Sequence, residues 1–210
     1  RACKAVQQSD EMFCAACGLR WDVNDMFPPE CRTPRVVIGL TGQAGSGKST
    51  LAEYMERAYG FSRIDMAEPI KQMLWALLHA RRCSDKNRWI YGDWKEAPCP
   101  YLDGKTPRFA MQTLGTEWGR KLIGSDLWIN TARDRISAIK GNVVIENIRF
   151  ANEAALCDRI IRITGRGGID GDHSSEQGVP QWGATYHNDG SVPDMHAWFD
   201  YVFKASTPHW

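Results

Sequence analysis

The stretch that decides the fold runs from Val36 to Ser49 and reads VVIGLTGQAGSGKS. Its first six residues, Val36–Thr41, are mostly apolar and β-branched, which predicts a buried parallel strand. The next eight, Gly42–Ser49, match the pattern G-x-x-x-x-G-K-[ST] at every position. A helix is predicted to follow and to end near Gly60. Strand, glycine-rich loop and helix in this order predict a phosphate-binding P-loop.

The residue types of this loop suit a nucleotide triphosphate. Glycines let successive backbone N–H groups turn toward phosphate oxygens, and the positive end of the following helix faces the same anion. Lys48 is expected to place its charge on the β- and γ-phosphates, and the Ser49 hydroxyl to reach Mg²⁺. The alternative is a plain glycine-rich turn. The residues predicted to bind ATP and Mg²⁺ are Gly42, Ala44, Gly45, Ser46, Gly47, Lys48, Ser49 and Thr50.

Strand and helix patterns alternate over the rest of the chain. This order predicts an α/β fold in which a parallel sheet, with Val36–Thr41 as a central strand, is flanked by helices on both faces. A loop or lid is expected at 83–106, and an irregular, mobile segment at 165–191. Further strands are predicted at 61–66, 142–148 and 160–164. Further helices are predicted at about 67–82, 107–123, 126–139, 151–158 and 191–204.

The first 35 residues form a separate unit in this interpretation. Cys14 and Cys17 make a C-x-x-C-G pattern, and Cys3 and Cys31 flank it. Four thiolates would close a tetrahedral structural Zn²⁺ site, which so short a unit needs because it cannot bury enough apolar surface. Free or oxidised thiols are the alternative. We therefore divide the chain into a zinc-ribbon-like unit, 1–35, and a P-loop domain, 36–210.

Charge and composition exclude several classes of partner. The net charge of +1, and the five basic and five acidic residues of the first 35, argue against strong binding to nucleic acid or anionic membranes. No apolar run of about 18 residues is present, so no membrane span is expected. No signal peptide is recognised, so the expected location is the cytoplasm, with reduced or metal-bound cysteines. The oligomeric state stays open, a homodimer included.

A P-loop specifies a nucleotide but not a reaction, since kinases, GTPases and motor ATPases share it. A kinase is favoured because the chain is small and a long helical segment follows the second strand, where small-substrate kinases build their acceptor site. A GTPase would need the motif Asn-Lys-x-Asp, which does not occur. A strong Walker-B aspartate is also missing, because the strand at 142–148 ends in Glu146 and Asn147.

Further motifs resemble those of the bacteriophage deoxynucleoside monophosphate kinases. The resemblance covers about four-fifths of the chain, from Val36 to Phe203, and its most distinctive block is the one at 112–129. The family usually has Asp-x-Arg-Phe at the strand end where this chain has Asn147-Ile148-Arg149-Phe150. The matching segments are GLTGQAGSGKST (39–50), AEPIKQML (67–74), QTLGTEWGRKLIGSDLWI (112–129), VVIENIRFANEA (143–154), HSSE (173–176) and HNDGS (187–191).

The resemblance implies an enzyme that phosphorylates a deoxynucleoside monophosphate with ATP and Mg²⁺, in the host cytoplasm if the chain is viral. Arg120 and Arg149 are expected to hold the 5′-phosphate of the acceptor, since a guanidinium matches phosphate geometry; surface salt bridging is the alternative. The implied catalytic residues are Lys48, Arg120, Arg149 and Arg166. The implied substrate-binding residues are Asp65, Lys71, Gln112, Trp118, Arg120, Asp126, Trp128 and Arg149.

Several of these residues have a second interpretation. Asp65 either orients a Mg²⁺-bound water or the acceptor, or caps the next helix. Trp118 and Trp128 either stack on a base or belong to the core. The basic stretch 79–108 either supplies cations to the site or is a solvated loop, and the sequence Asn188-Asp189-Gly190 reads only as a turn. A zinc-ribbon polynucleotide kinase or a nucleic-acid-linked P-loop regulator is the alternative function.

Overall fold

The computed structural model describes residues 36–167, Val179 and 183–205, together with the backbone of three short strands before them. The described strands are β1 (Ala5–Gln8), β2 (Glu11–Cys14), β3 (Arg20–Asp22), β4 (Val37–Thr41), β5 (Ser62–Asp65), β6 (Val143–Glu146), β7 (Arg159–Thr164) and β8 (Thr185–His187). The described α-helices are α1 (Lys48–Tyr59), α2 (Glu68–Ala80), α3 (Lys86–Ile90), α4 (Pro107–Thr113), α5 (Leu127–Ser137), α6 (Ala151–Ala154) and α7 (Val192–Ala205).

A five-stranded parallel sheet organises the P-loop domain, in the order β5-β6-β4-β7-β8. The predicted central position of β4 is confirmed, because two strands lie on each side of it. The strand β8 was not predicted, since three residues are too few for a periodic signal. The carboxyl ends of all five strands share one edge, where open α/β sheets bind ligands.

Side-chain alternation along the strands divides the core into two layers. In β4, Ile38 and Leu40 pack with α1 and α7, whereas Val37 packs on the opposite face with α5. Both faces are covered, so the strand is buried at every position and reads as a continuous apolar run, as expected for a parallel sheet.

The prediction of a loop or lid at 83–106 is wrong for much of this stretch. It contains α3 and two 3-10 turns, Asp93–Glu96 and Pro100–Leu102. Trp89, Ile90 and Cys99 are buried there in a third small apolar cluster. Because these residues are few and separated by polar ones, periodicity could not identify them.

The predicted helix at 107–123 is present, but its hydrogen-bond pattern changes along its length. It begins as α4 and continues as a π-helix, Leu114–Ile123. Gly119 faces the ring of Trp128 there, so closely that a Cβ at this glycine would lie 2.5 Å from the ring. Such wide helical turns are rare and often occur at functional sites.

The amino-terminal strands form a three-stranded antiparallel sheet in the order β1-β2-β3, and Ala5 lies opposite Cys14. Cys3, Cys17 and Cys31, and the side chain of Cys14, lie outside the described residues. The HSSE segment at 173–176 and most of the expected irregular segment lie outside them as well.

Candidate active site

The P-loop joins β4 to α1 at the ligand-binding edge of the sheet. Gly47 caps the helix with φ of +106°, a backbone conformation that favours glycine. The Lys48 side chain lies within the loop: its Nζ donates to the carbonyl oxygens of Gly42 at 2.8 Å and Gln43 at 2.7 Å. These two carbonyl oxygens therefore hold the ammonium group of Lys48 against the loop.

Asn188 supports this loop from a distant part of the chain. Its side chain is buried and its Nδ2 donates to the carbonyl oxygen of Ser46 at 2.8 Å, while its backbone N–H donates to Thr164. The interpretation of this segment as a mere turn is therefore wrong. The only sequence signal for Asn188 was its place in the family-like HNDGS segment, because a single asparagine has no periodicity.

The segment after β7 also lies against the P-loop. A Cβ at Gly167 would come within 2.2 Å of the carbonyl oxygen of Ala44, so only glycine allows this approach. Arg166 donates from its guanidinium to the carbonyl oxygen of Gly190 at 2.7 Å. A catalytic role for Arg166 stays a prediction.

A cavity of about 420 Å³ opens next to the P-loop. Its volume falls within the range of small-molecule sites. It brings together many of the residues predicted for ATP and for the acceptor, while Gly42, Ser46, Trp118, Asp126 and Arg166 lie outside its wall. The predicted residues that line it are Ala44, Gly45, Gly47, Lys48, Ser49, Thr50, Asp65, Lys71, Gln112, Arg120, Trp128 and Arg149.

Arg120 reaches the cavity from the π-helix and is held there by a buried carboxylate. Its guanidinium forms an ion pair with Glu153, donates to the carbonyl oxygen of Ser125 at 3.2 Å and stacks on the ring of Phe150 at 3.9 Å. Burial lowers the pKa of Arg120 and raises the pKa of Glu153, so it disfavours both charges. The ion pair offsets this penalty and gives the guanidinium one orientation.

Glu153 also organises the strand end that carries Arg149. Its Oε2 accepts from the backbone N–H of Arg149 at 2.6 Å and of Phe150 at 3.2 Å. Sequence reasoning missed this residue, although it lies four positions after Arg149 in a family-like segment. One carboxylate therefore connects both arginines that were predicted for the acceptor.

Asn147 stands where the resembling family has aspartate. It lines the cavity in a left-handed backbone conformation, with φ of +63°. The preceding Glu146 is buried and pairs with Arg63, whose Nε and Nη2 donate to Oε1 at 2.9 and 2.8 Å. Of these two neighbouring residues, Asn147 is therefore the one whose side chain can offer an oxygen ligand at the cavity wall.

Asp65 lies between the cavity and the start of α2, and a role toward Mg²⁺ or the acceptor stays a prediction. It lines the cavity at the end of β5, and its carboxylate accepts from the backbone N–H of Ala67 at 2.9 Å, just before α2. The same carboxylate forms an ion pair with Lys71, one turn into that helix. Asp65 is therefore both a local support for α2 and a cavity-facing group.

The two tryptophans differ in burial. Trp128 belongs to the core, donates from Nε1 to the carbonyl oxygen of Gly115 at 2.8 Å and contributes one wall of the cavity. Trp118 is 38% exposed and packs beside it. Asp126 accepts a hydrogen bond from Asn152 at 3.1 Å. Base stacking by either tryptophan stays a prediction.

Two further findings concern the described residues only. No cluster of three or more histidine, cysteine, aspartate or glutamate side chains that could hold a metal occurs among them. Within the same part of the chain, no helix combines the length and apolar character that a membrane crossing requires. The predicted cysteine site for zinc lies outside these residues and stays a prediction.

Comparison with known proteins identifies viral relatives. A protein of Acanthamoeba polyphaga mimivirus named "Putative deoxynucleotide monophosphate kinase" is 35% identical over 133 residues, which cover 57% of this chain and 66% of that protein. The deoxynucleoside-5′-monophosphate kinase of Escherichia phage T5 is 24% identical over an alignment that covers 69% of this chain and 85% of the phage protein. The chain thus spans just under two thirds of the mimivirus protein.

The remaining comparisons are weaker. The chain matches no protein-family model. TT1252 from Thermus thermophilus aligns with a TM-score of 0.45 at 16% identity over 81% of this chain and 97% of its own length. Shikimate kinase from Acinetobacter baumannii aligns with a TM-score of 0.45 at 10% identity over 82% of this chain and 95% of its own length. The viral proteins are therefore the relatives that bear on function, and both are named as kinases of deoxynucleotide monophosphates.

Proposed function

We propose that the chain is a nucleotide kinase that transfers the γ-phosphoryl group of ATP to the 5′-phosphate of a deoxynucleoside monophosphate. The observation that carries the proposal is one cavity whose wall contains both P-loop residues and the two arginines, Arg120 and Arg149. The names of the two viral relatives support the same reaction. The substrates are small nucleotides, in keeping with the size of the cavity.

The acceptor side of the cavity favours an anionic acceptor over a neutral one. A monophosphate brings about two negative charges within a few ångström of the γ-phosphate, and cations outside the P-loop must offset that repulsion. Arg120 and Arg149 line the same cavity as the loop. A guanidinium that binds a phosphate through two parallel N–H groups is well suited to this task.

The proposed transfer forms one bond to phosphorus and breaks one. An oxygen of the acceptor phosphate forms a bond to the γ-phosphorus, while the bond from that phosphorus to the β,γ-bridging oxygen breaks and ADP leaves. Lys48 offsets the charge that moves toward the bridging oxygen, and the backbone N–H groups of the P-loop bind the donor phosphates. The arginines hold the attacking phosphate in line.

The oxygen donors around the P-loop fit a magnesium ion. Ser49, Asp65 and Asn147 line the same cavity, and hydroxyl, carboxylate and amide oxygens are the ligands that Mg²⁺ accepts beside water and phosphate. When bound, the ion would neutralise charge on the β- and γ-phosphates.

A substrate panel tests the proposed activity. The full chain is incubated with ATP, Mg²⁺ and each of the common deoxynucleoside and ribonucleoside monophosphates, and diphosphates are separated by ion-exchange chromatography. We expect at least one deoxynucleoside diphosphate. Phosphorylation of a 5′-hydroxyl oligonucleotide instead would support the polynucleotide kinase alternative, and hydrolysis of ATP without any acceptor product would contradict both.

Substitution of the two arginines tests their assignment to the acceptor. Arg120 and Arg149 are each changed to Lys and to Ala, and KM is measured for both substrates. Loss of such a contact costs about 1.5–4 kcal/mol, so KM for the monophosphate or kcat should suffer roughly 10- to 1000-fold. KM for ATP should change little. A loss of ATP affinity with unchanged acceptor binding would mean that the two sites are reversed.

We also propose that residues 1–35 form a separate unit that binds one structural Zn²⁺ through Cys3, Cys14, Cys17 and Cys31. The register of the amino-terminal sheet supports this, because Ala5, two residues after Cys3, pairs with Cys14. Elemental analysis of protein purified without added metal should find about one zinc per chain. Metal-free protein that keeps its amino-terminal sheet would contradict the assignment.

A further inference from the structure

The cavity has a second group of cations that the arginine assignment does not use. Lys71 extends into it from α2, Lys95 from the 3-10 turn Asp93–Glu96, and Arg108 from the first turn of α4. The last two come from the basic stretch 79–108, for which a solvated loop was the alternative interpretation. The folding of that stretch brings their side chains to the wall of the nucleotide cavity.

The three cations differ in their partners. Lys71 pairs with Asp65, and Arg108 donates to Glu96 at 2.7 Å. Among the described residues, no hydrogen bond or close ion pair engages the ammonium group of Lys95. The carboxylates of Asp65 and Glu96 act on the Lys95 charge electrostatically, but neither forms a hydrogen bond or an ion pair with it. Lys95 therefore brings to the cavity a positive charge without a directly paired carboxylate among the described residues.

The surroundings of Lys95 favour an anion at this point. Burial, followed by the charges of Lys71 and Arg108, lowers the pKa of Lys95. A group in this state gains most from a bound anion, which compensates its charge and replaces lost hydration.

Arg120 is in the opposite situation. Its guanidinium is already paired with the buried Glu153, so the pair as a whole adds orientation but little net positive charge. Repulsion between the acceptor phosphate and the γ-phosphate depends on net charge, and an arginine paired with a carboxylate reduces it less than an unpaired cation does.

We propose that Lys95 binds the phosphate of the acceptor nucleotide and supplies positive charge, not held in a direct ion pair, that offsets the repulsion between this phosphate and the γ-phosphate. This inference rests on the proposed kinase function and adds a residue to its acceptor site. Arg120 then orients the acceptor phosphate, while Lys95 supplies the charge.

Three variants of the full chain test the inference. Lys95→Met removes the charge and keeps a side chain of similar length. Lys95→Arg keeps the charge, and Lys105→Met is the matched control. Lys105 lies in the same stretch and is exposed, and its ammonium group lies over the ring of Phe109, at 5.4 Å from the centroid. KM for the best monophosphate and KM for ATP are measured at low and at high salt, with thermal unfolding as a check of folding.

We expect KM for the monophosphate to rise about 10- to 100-fold in Lys95→Met, because a charged contact to phosphate is lost. Lys95→Arg should stay within a few-fold of the unmodified chain, and KM for ATP should not change. The loss should be largest at low salt, where the charge is least screened. Lys105→Met should match the unmodified chain throughout.

Two results would overturn the inference alone while the kinase function stands. One is a Lys95→Met enzyme with the kinetics of Lys105→Met. The other is a Lys95→Arg enzyme as impaired as Lys95→Met with normal thermal unfolding, because the charge would then not be what matters. If the unmodified chain phosphorylates no monophosphate at all, the proposed function fails and the inference fails with it.

Discussion

The two sides of the cavity are built in different ways. The proposed donor side belongs to one run of consecutive residues, the P-loop and the start of α1, of which Ala44, Gly45 and 47–50 line the cavity. The acceptor side is assembled from side chains on β5, α2, the 93–96 turn, α4, the π-helix and the end of β6. A contiguous backbone site can be read from spacing, whereas an assembled site depends on how the elements pack.

The difference extends to what holds each side in place. The donor side depends on the glycine conformations of the loop and on one buried amide, Asn188. The acceptor side depends on charge pairs, above all the one between Arg120 and Glu153. Substitutions on the donor side should therefore affect ATP and the chemical step, and those on the acceptor side should affect monophosphate binding and stability.

The largest effect is expected from Lys48→Ala on the donor side. The variant keeps the backbone of the loop and loses the charge that, in the proposed reaction, meets the developing negative charge of the γ-phosphate. The cost should be about 3–5 kcal/mol, a few hundred-fold or more in kcat. Steady-state kinetics measure it, and thermal unfolding checks the fold. Near-normal turnover would mean that the P-loop takes no part in the reaction.

On the acceptor side, Glu153→Gln should leave the Arg120 guanidinium without its charge partner in a buried place. Breaking a buried ion pair costs about 3–5 kcal/mol, so we expect a fall of about 3 kcal/mol in the free energy of unfolding. KM for the monophosphate should rise, while KM for ATP should not. Denaturant titration and kinetics measure the two effects.

The exposed pair of Arg57 and Glu53 provides the control for that variant, since its atoms are 4.0 Å apart and both side chains are more than half exposed. Glu53→Gln should change the free energy of unfolding by about 0.5 kcal/mol or less. Equal effects of the two substitutions would contradict a special role for Glu153.

A smaller effect is expected from Asn188→Ala, which removes the support of the P-loop. Loss of a buried hydrogen bond costs about 1–2 kcal/mol, which corresponds to a rise of roughly 5- to 30-fold in KM for ATP. KM for the monophosphate should stay constant, and Asn130→Ala, at an exposed position of α5, should change neither value. A rise in KM for the monophosphate alone would contradict the claim that donor-side substitutions affect ATP and not the acceptor.

The smallest effect concerns α1, which carries the donor side. The hydroxyls of Tyr54 and Tyr59 donate to Asp200 of α7 at 2.6 and 2.7 Å. These hydrogen bonds, that from Tyr54 first, lower the pKa of Asp200. A carboxylate whose pKa is lowered in the folded state stabilises the fold at pH values above its unfolded-state pKa. This stabilisation is lost as the pH falls through the folded-state pKa.

Asp200→Asn should therefore lower the free energy of unfolding by less than about 1 kcal/mol at neutral pH, because the group is partly exposed. Below the ordinary pKa of aspartate, the difference between the variant and the unmodified chain should shrink. Urea unfolding at several pH values measures it. A difference that grows as the pH falls would contradict the assigned sign.

Sequence periodicity was sufficient for the main elements of the P-loop domain. Strands β4 to β7 and helix α1 were predicted close to their observed bounds, because buried parallel strands show as short apolar runs and the helix as apolar residues at helical spacing. It failed for the 83–106 stretch and for β8, where short elements are interrupted by polar residues. Local pattern is informative only when an element is long enough to show a period.

The sequence by itself determined the P-loop and the order of strands and helices, because spacing along the chain controls both. The tertiary structure alone decided three partnerships: Asn188 with Ser46, 142 positions apart; Glu153 with Arg120, 33 positions apart; and the approach of Lys95 to the nucleotide cavity. The physical reason is that burial and charge compensation depend on which surfaces pack together, and no spacing within a single element encodes that choice.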